Sequence, residues 1–192
     1  MRDETMSFET TRGEPAEALA LLAFWIEAGP AKWFDKSDHF DAACGHYAAA
    51  WEEACGGAFD HWAETAAGTL ALLILLDQIP RNVFRGEARQ FATDAKALTL
   101  ARHAVRQGFD VTQPWPMRNF FYLPFQHAED MAAQDEGLDI YRRSGDQNAY
   151  YFALVHADAV RRFGRFPHRN EVLGRETTAA EAAYLATGGF GA

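Results

Sequence analysis

The sequence predicts an all-α protein, a single domain over residues 1–192 built from about seven or eight helices stacked as antiparallel hairpins. Apolar residues recur at three- and four-residue steps, and prolines, glycines and capping residues cut the chain into helix-length pieces. No stretch alternates polar and apolar residues for long enough to make a sheet. With 192 residues, 48% of them apolar, the chain can bury a core without disulfides or metals. Cys44 and Cys55 fit neither a zinc motif nor a disulfide framework and read as reduced packing residues.

Residues 1–14 are rich in acids and threonine and are expected to form a loosely ordered N-terminal segment. They lack the basic-then-apolar pattern of a secretory leader, so the expected location is the cytoplasm. Pro15 suits the start of a first helix carrying Leu19, Leu22, Ala23 and Ile26 on one face, stopped by Gly29-Pro30. Ser37 caps a second, whose aromatic face includes Phe40, Tyr47 and Trp51 and which closes at Gly56-Gly57.

Thr65 or Thr69 opens a third helix, apolar on most sides and therefore central, which Pro80 is expected to break. Its run Leu70–Leu76 is far short of the ~20 residues that span a bilayer, so no membrane segment is expected. Thr93-Asp94 caps a fourth helix running to Gly108. Beyond Pro114 and Pro116, residues 117–143 read as helix interrupted at Pro124, followed by 147–163, ended by Gly164, and a short final helix capped by Thr178.

The net charge of −9 argues against a nucleic-acid partner, which needs a basic surface. The acid is concentrated in the first part: residues 1–79 hold 4 bases and 14 acids, and residues 80–192 hold 14 bases and 13 acids. All but Lys96 of those 14 bases are arginine, the side chain suited to fixed, forked contacts.

Three short segments echo one another: Pro80-Arg81-Asn82, Pro116-Met117-Arg118-Asn119 and Pro167-His168-Arg169-Asn170. An arginine at a helix start works against the dipole, so Arg118 and Arg169 need an acceptor: a carboxylate, another helix's carbonyl end or a bound anion. The stretch 161–175 adds Arg161, Arg162, Arg165 and Arg175 with a single acid, Glu171.

Helical spacing puts His127, Asp130 and Gln134 on one stripe with Glu129 beside them, and His156 on the next long helix is in reach of an antiparallel approach. Such a group suits general acid and base work. It equally suits a structural ion network, in which Asp77–Arg81 and Asp158–Arg162 are ordinary i to i+4 pairs. Neither HExxH nor a repeated Glu-x-x-His pair occurs, so no metal and no cofactor are expected, and no nucleophile motif is visible.

The stretches Leu73 to Gly86, Arg118 to Asp130 and Arg162 to Arg175, with Phe24-Trp25 and Trp33-Phe34, resemble the bacterial family catalogued as domain of unknown function 924 over nearly the whole chain. The resemblance implies a tetratricopeptide-like fold and no established activity. The family's motif blocks fall on Asp77, Arg81, Asn82, Arg85, Arg118, His127, Glu129, Asp130, His156, Arg162, Arg165, His168, Arg169 and Asn170. No repeat near 34 residues is evident, so a peptide groove does not follow from the fold.

The leading expectation is a binding module whose polar cleft, lined by Arg81, Arg85, Arg118, Asn119, Arg162, Arg165, His168, Arg169 and Asn170, receives an anionic small molecule or an acidic peptide. One alternative is a hydrolytic or acid-base enzyme using His127 and His156 with Glu129 or Asp130. Another is a protein-interaction scaffold with an exposed aromatic patch.

Overall fold

The computed structural model describes residues 14–189. Its α-helices are α1 (Ala16–Ala28), α2 (Pro30–Trp33), α3 (Asp38–Cys44), α4 (Ala48–Cys55), α5 (Ala66–Leu73), α6 (Ile79–Val83), α7 (Asp94–Gln107), α8 (Leu123–His127), α9 (Met131–Ser144), α10 (Gln147–Phe163) and α11 (Ala179–Ala186). Seven of them reach eight residues or more, and no strand occurs among the described residues. None of these helices is long and apolar enough to cross a membrane. Most of the expected N-terminal segment, residues 1–13, lies outside the described residues; Glu14 is described and accepts a hydrogen bond from Thr65 Oγ1 at 2.5 Å.

The capping residues act where the sequence puts them. Ser37, Thr65 and Thr178 accept from the backbone amides of Phe40, Gly68 and Glu181, and Thr178 and Glu181 complete a capping box. Asp130 and Asp146 cap α9 and α10 in the same way. The expected second helix is interrupted by a 3-10 turn at Gly45–Tyr47, where glycine lowers the helical preference.

Every residue of α5 from Ala67 to Leu73 is buried, as its all-round apolar sequence requires. Around it one continuous core runs from Ala18 to Ala153. Trp25 and Trp33 both present edges to Phe120, at 5.6 and 5.0 Å between ring centroids, and Trp33 Nε1 donates to the Trp25 carbonyl at 2.6 Å.

Pro80 does not end the central helix. Residues Ile74–Gln78 widen into a π-helical turn, and α6 restarts with the proline in its first turn, where a missing N–H costs little. The proline has no N–H to offer the carbonyl four residues back, that of Leu76. Thr93 Oγ1 donates to that carbonyl and accepts from Trp51 Nε1 at 3.1 Å. Thr93 is not the side-chain cap the sequence suggests: its backbone is at φ −106° and ψ 5° rather than extended, and α7 begins without a side-chain cap.

The long hairpin α9–α10 turns at Gly145, in the left-handed conformation. Against it, α8 packs so closely that a Cβ at Gly137 would lie 2.8 Å from Phe125 Cβ. Gln134 Nε2 donates to the carbonyls of Phe125, Gln126 and Ala128 at 3.2, 2.8 and 2.8 Å, fixing the C-terminal end of α8, where His127 sits.

Thr93→Val removes a buried donor and a buried acceptor while keeping the side-chain shape. It is expected to cost about 1–3 kcal/mol and so lower Tm by several degrees in thermal unfolding. An unchanged Tm would mean that Leu76 O and Trp51 Nε1 find other partners.

Candidate functional site

The π-helical turn carries Asp77, 1% exposed, into the protein interior. Its carboxylate meets His127 Nδ1 at 2.8 and 3.0 Å and Arg81 Nη1 at 3.4 Å, and it accepts from Gln78 Nε2. Burial opposes the charge, but Arg81 and His127 together outweigh it and hold the Asp77 carboxyl below the ordinary carboxylate range. An ionised carboxylate only accepts, so His127 Nδ1 carries the ring proton and Nε2 keeps its lone pair. Burial, and next Arg81, push the imidazole below its usual value against the pull of Asp77. Burial thus favours the neutral ring.

Asp94, the first residue of α7, receives Arg81 Nη2 and Arg169 Nη1, each at 2.9 Å. Arg169 Nη2 donates to the His127 carbonyl at 3.0 Å, tying the 3-10 turn Pro167–Arg169 to the end of α8. Its guanidinium lies between Phe91 and Phe166, 4.2 and 4.7 Å from their centroids. The His156 ring is 6.1 Å from that of His127, and its Nδ1 donates to the Phe152 carbonyl at 2.7 Å. His168 lies 5.6 Å from the Phe166 ring. Burial, and next His127, push His156 down to about 3; burial, and next Arg169, push His168 down to about 4.

Beside this network opens a cleft of about 450 Å³. Phe91, Leu98 and Leu173 supply apolar wall, and Asp94, His127, Glu129, Asp130 and Arg169 supply the polar part. Glu129 holds Arg175 through two hydrogen bonds of 2.7 and 2.9 Å and accepts from the Phe166 amide at 2.7 Å. Among the described residues no group of three or more His, Cys, Asp or Glu side chains is arranged to hold a metal ion.

Two of the three Pro-Arg-Asn segments thus meet, through Asp94. The other does not: Arg118 donates to the carbonyls of Gln113 and Val111 at 2.8 and 3.1 Å, and Asn119 accepts from Tyr141 Oη at 2.8 Å. Arg85 forks onto Asp41, Arg162 pairs with Asp158 within α10, and Arg165 pairs with Glu181. Asn170 supports the site from behind, its Oδ1 accepting from Arg175 Nε at 2.9 Å.

Arg81, His127, Glu129, Asp130 and Arg169 therefore gather at the cleft or directly under it, with His156 adjoining. Asp130 is committed to capping α9 and Glu129 to Arg175, so the carboxylate that serves His127 is Asp77. Phe91 is absent from the residues singled out in the sequence, Asp94 was read there only as part of a helix cap, and Arg175 only as part of the arginine-rich stretch. The need of two post-proline arginines for one acid was a usable signal for Asp94.

An all-α protein with a histidine-bearing cleft beside a buried charge network is the class that fold and site define. The chain belongs to a bacterial family of unknown function, DUF924, whose model matches residues 21–189. It is similar to the solved structure of a protein of unknown function from Agrobacterium tumefaciens, with 46% identity, 90% of this chain and 98% of that chain covered, and a TM-score of 0.86. No curated protein matches the chain.

Both His156 and His168 have folded values below the unfolded imidazole value of about 6.5. Between that value and about 3 to 4 the unfolded chain binds protons that the folded one refuses, so their contribution is complete above about pH 6.5 and is lost as pH falls. Tm is expected to drop steadily from pH 7 to pH 4.5, and His168→Gln to flatten the slope. A flat wild-type profile would contradict the buried, neutral histidines.

Proposed function

We propose that this protein is an acid-base enzyme acting on a small molecule, with His127 Nε2 as the proton-transferring atom. One observation carries the reading: a buried, ionised carboxylate, Asp77, receives His127 Nδ1–H at 2.8 Å while His127 lines an open cleft. In that arrangement Asp77 fixes the tautomer and stabilises the imidazolium that forms when Nε2 takes a proton. Arg81 is a positioning residue, keeping Asp77 charged and its carboxylate aligned. His156 adjoins the ring as the second histidine of the pair.

Stability alone does not account for such a network. Withdrawing charges from water costs several kcal/mol per ion, and well-packed apolar side chains in their place are often as stable or more so. Perturbed titratable groups beside a cleft are the pattern expected of a working site. A cavity of about 450 Å³ lies within the size range of small-molecule pockets. The binding-module reading has less behind it in its original form, because Arg81, Arg118, Arg165 and Arg169 all spend their forks on internal acceptors.

The test is turnover of a panel of small esters, lactones and amides by the wild type, Asp77→Asn, His127→Ala and Arg85→Ala. Loss of a general base typically costs 10²–10⁴-fold. His127→Ala is expected to lose at least about 100-fold in kcat, Asp77→Asn to fall with it, and Arg85→Ala, outside the site, to stay within about twofold of wild type. Turnover that persists in His127→Ala contradicts the proposal.

A further inference from the structure

Arg81 stands between two acids and divides its guanidinium between them. Its Nη2 donates to Asp94 Oδ1 at 2.9 Å, whereas its Nη1 donates to the Asp77 backbone carbonyl and stays 3.4 Å from the Asp77 carboxylate. One turn later Arg85 shows the other arrangement, a fork that puts Nε and Nη2 on the two oxygens of Asp41 at 2.7 and 2.9 Å. A fork of that kind on Asp77 would occupy both its oxygens. Instead they lie 2.8 and 3.0 Å from His127 Nδ1, with Gln78 Nε2 sharing Oδ2.

The start of α7 is what holds Arg81 in this position. The bond from Thr93 Oγ1 to the Leu76 carbonyl docks that helix immediately before Asp77, and Asp94 follows Thr93. Asp94 also receives Arg169 Nη1 at 2.9 Å, while Arg169 Nη2 holds the carbonyl of His127 itself at 3.0 Å. One acid thus restrains the arginine beside Asp77 and the arginine on the backbone of His127. Without Asp94, the carboxylate left to Arg81 among the described residues is Asp77.

We propose that Asp94 is a positioning residue of the Asp77–His127 pair: it draws Arg81 off the Asp77 carboxylate, leaving Asp77 to face His127, and it anchors Arg169 on the His127 carbonyl. That this serves proton transfer rests on the acid-base reading; the restraint itself stands on the contacts. The charged and titratable groups around the His127 ring come from five elements: Asp77 from the π-helical turn, Arg81 from α6, Asp94 from α7, His156 from α10, and His168 and Arg169 from the 3-10 turn. Arg81 makes the ring harder to protonate, and Asp77 and then Asp94 make it easier. Asp94 therefore acts on the ring through its own charge as well as through the arginine it holds.

The test is the protonation midpoint of the His127 imidazole, followed by long-range ¹H–¹⁵N correlation from pH 8 downward in the wild type, Asp94→Asn and Asp94→Glu. In Asp94→Asn the charge is lost and Arg81 turns its fork onto Asp77. Both changes disfavour the imidazolium, so its proton affinity is expected to fall at least about threefold and the midpoint to move down. Asp94→Glu keeps the charge and is expected to recover most of the wild-type midpoint. A merely structural role for Asp94 gives the opposite sign, because a loosened α7 lets water reach the ring and carries the midpoint up toward the free imidazole value of about 6.5. Asp94→Ser, which removes the charge with a residue suited to a helix start, takes the place of Asp94→Asn if that variant does not fold. A midpoint that stays or rises in the neutral variant overturns the proposal. A lowered midpoint without His127-dependent turnover of the ester, lactone and amide panel keeps the restraint and removes the acid-base reading; His127-dependent turnover with an unchanged midpoint does the reverse.

Discussion

Pro80 lacks the N–H that would continue the central helix, and the architecture of the site follows from how that deficit is met. A π-helical turn upstream carries Asp77 into the interior, and α6 restarts with the proline in its first turn. The Leu76 carbonyl takes its bond from Thr93, a residue 17 positions later, which docks the start of α7 onto the central helix. Thr93, at φ −106° and ψ 5° rather than extended, makes no side-chain cap, so α7 opens onto the cleft with its first amides uncovered. One missing hydrogen-bond donor thus links core geometry to the polarity of the candidate site.

The charges assembled there are costly and closely matched. Asp77 and Asp94 face Arg81 and Arg169, Glu129 faces Arg175, and burial pushes the histidines below their usual titration range. Arg169 is held from two sides by Phe91 and Phe166 and at its fork by Asp94 and the His127 carbonyl, a degree of restraint that fixes the cleft wall. Gln134 fixes the opposite side by closing the carbonyl end of α8. Rigid support of this kind is what an acid-base centre needs to hold a proton acceptor in one orientation.

What could be read in the sequence was local. Ser37, Thr65 and Thr178 cap where their types and positions say, and the all-round apolar run after Thr65 is the central helix. The approach of His156 to His127 was anticipated, but the expected stripe is not realised: α8 ends at His127 and Asp130 caps the start of α9, so His127, Asp130 and Gln134 do not share one helix face. Contacts between distant segments were not legible: His127 and Asp77 are 50 residues apart, and Arg169 and Asp94 are 75. Asp94 and Thr93 together resemble a helix cap, and only tertiary contacts reveal that one serves two arginines and the other a proline's orphaned carbonyl. The Pro-Arg-Asn echo was real as a pattern but misleading as a unit, since Arg118 turns back onto its own loop.

The central claim is that Asp77 holds His127 with the proton on Nδ1, leaving Nε2 as a base. Long-range ¹H–¹⁵N correlation of the imidazole side chains at pH 7 reads that state directly, with His127 assigned by its loss in His127→Gln. A neutral ring protonated at Nδ1, converting to the other tautomer or to a mixture in Asp77→Asn, is the predicted result. A ring protonated at Nε2, or an imidazolium at pH 7, would contradict it.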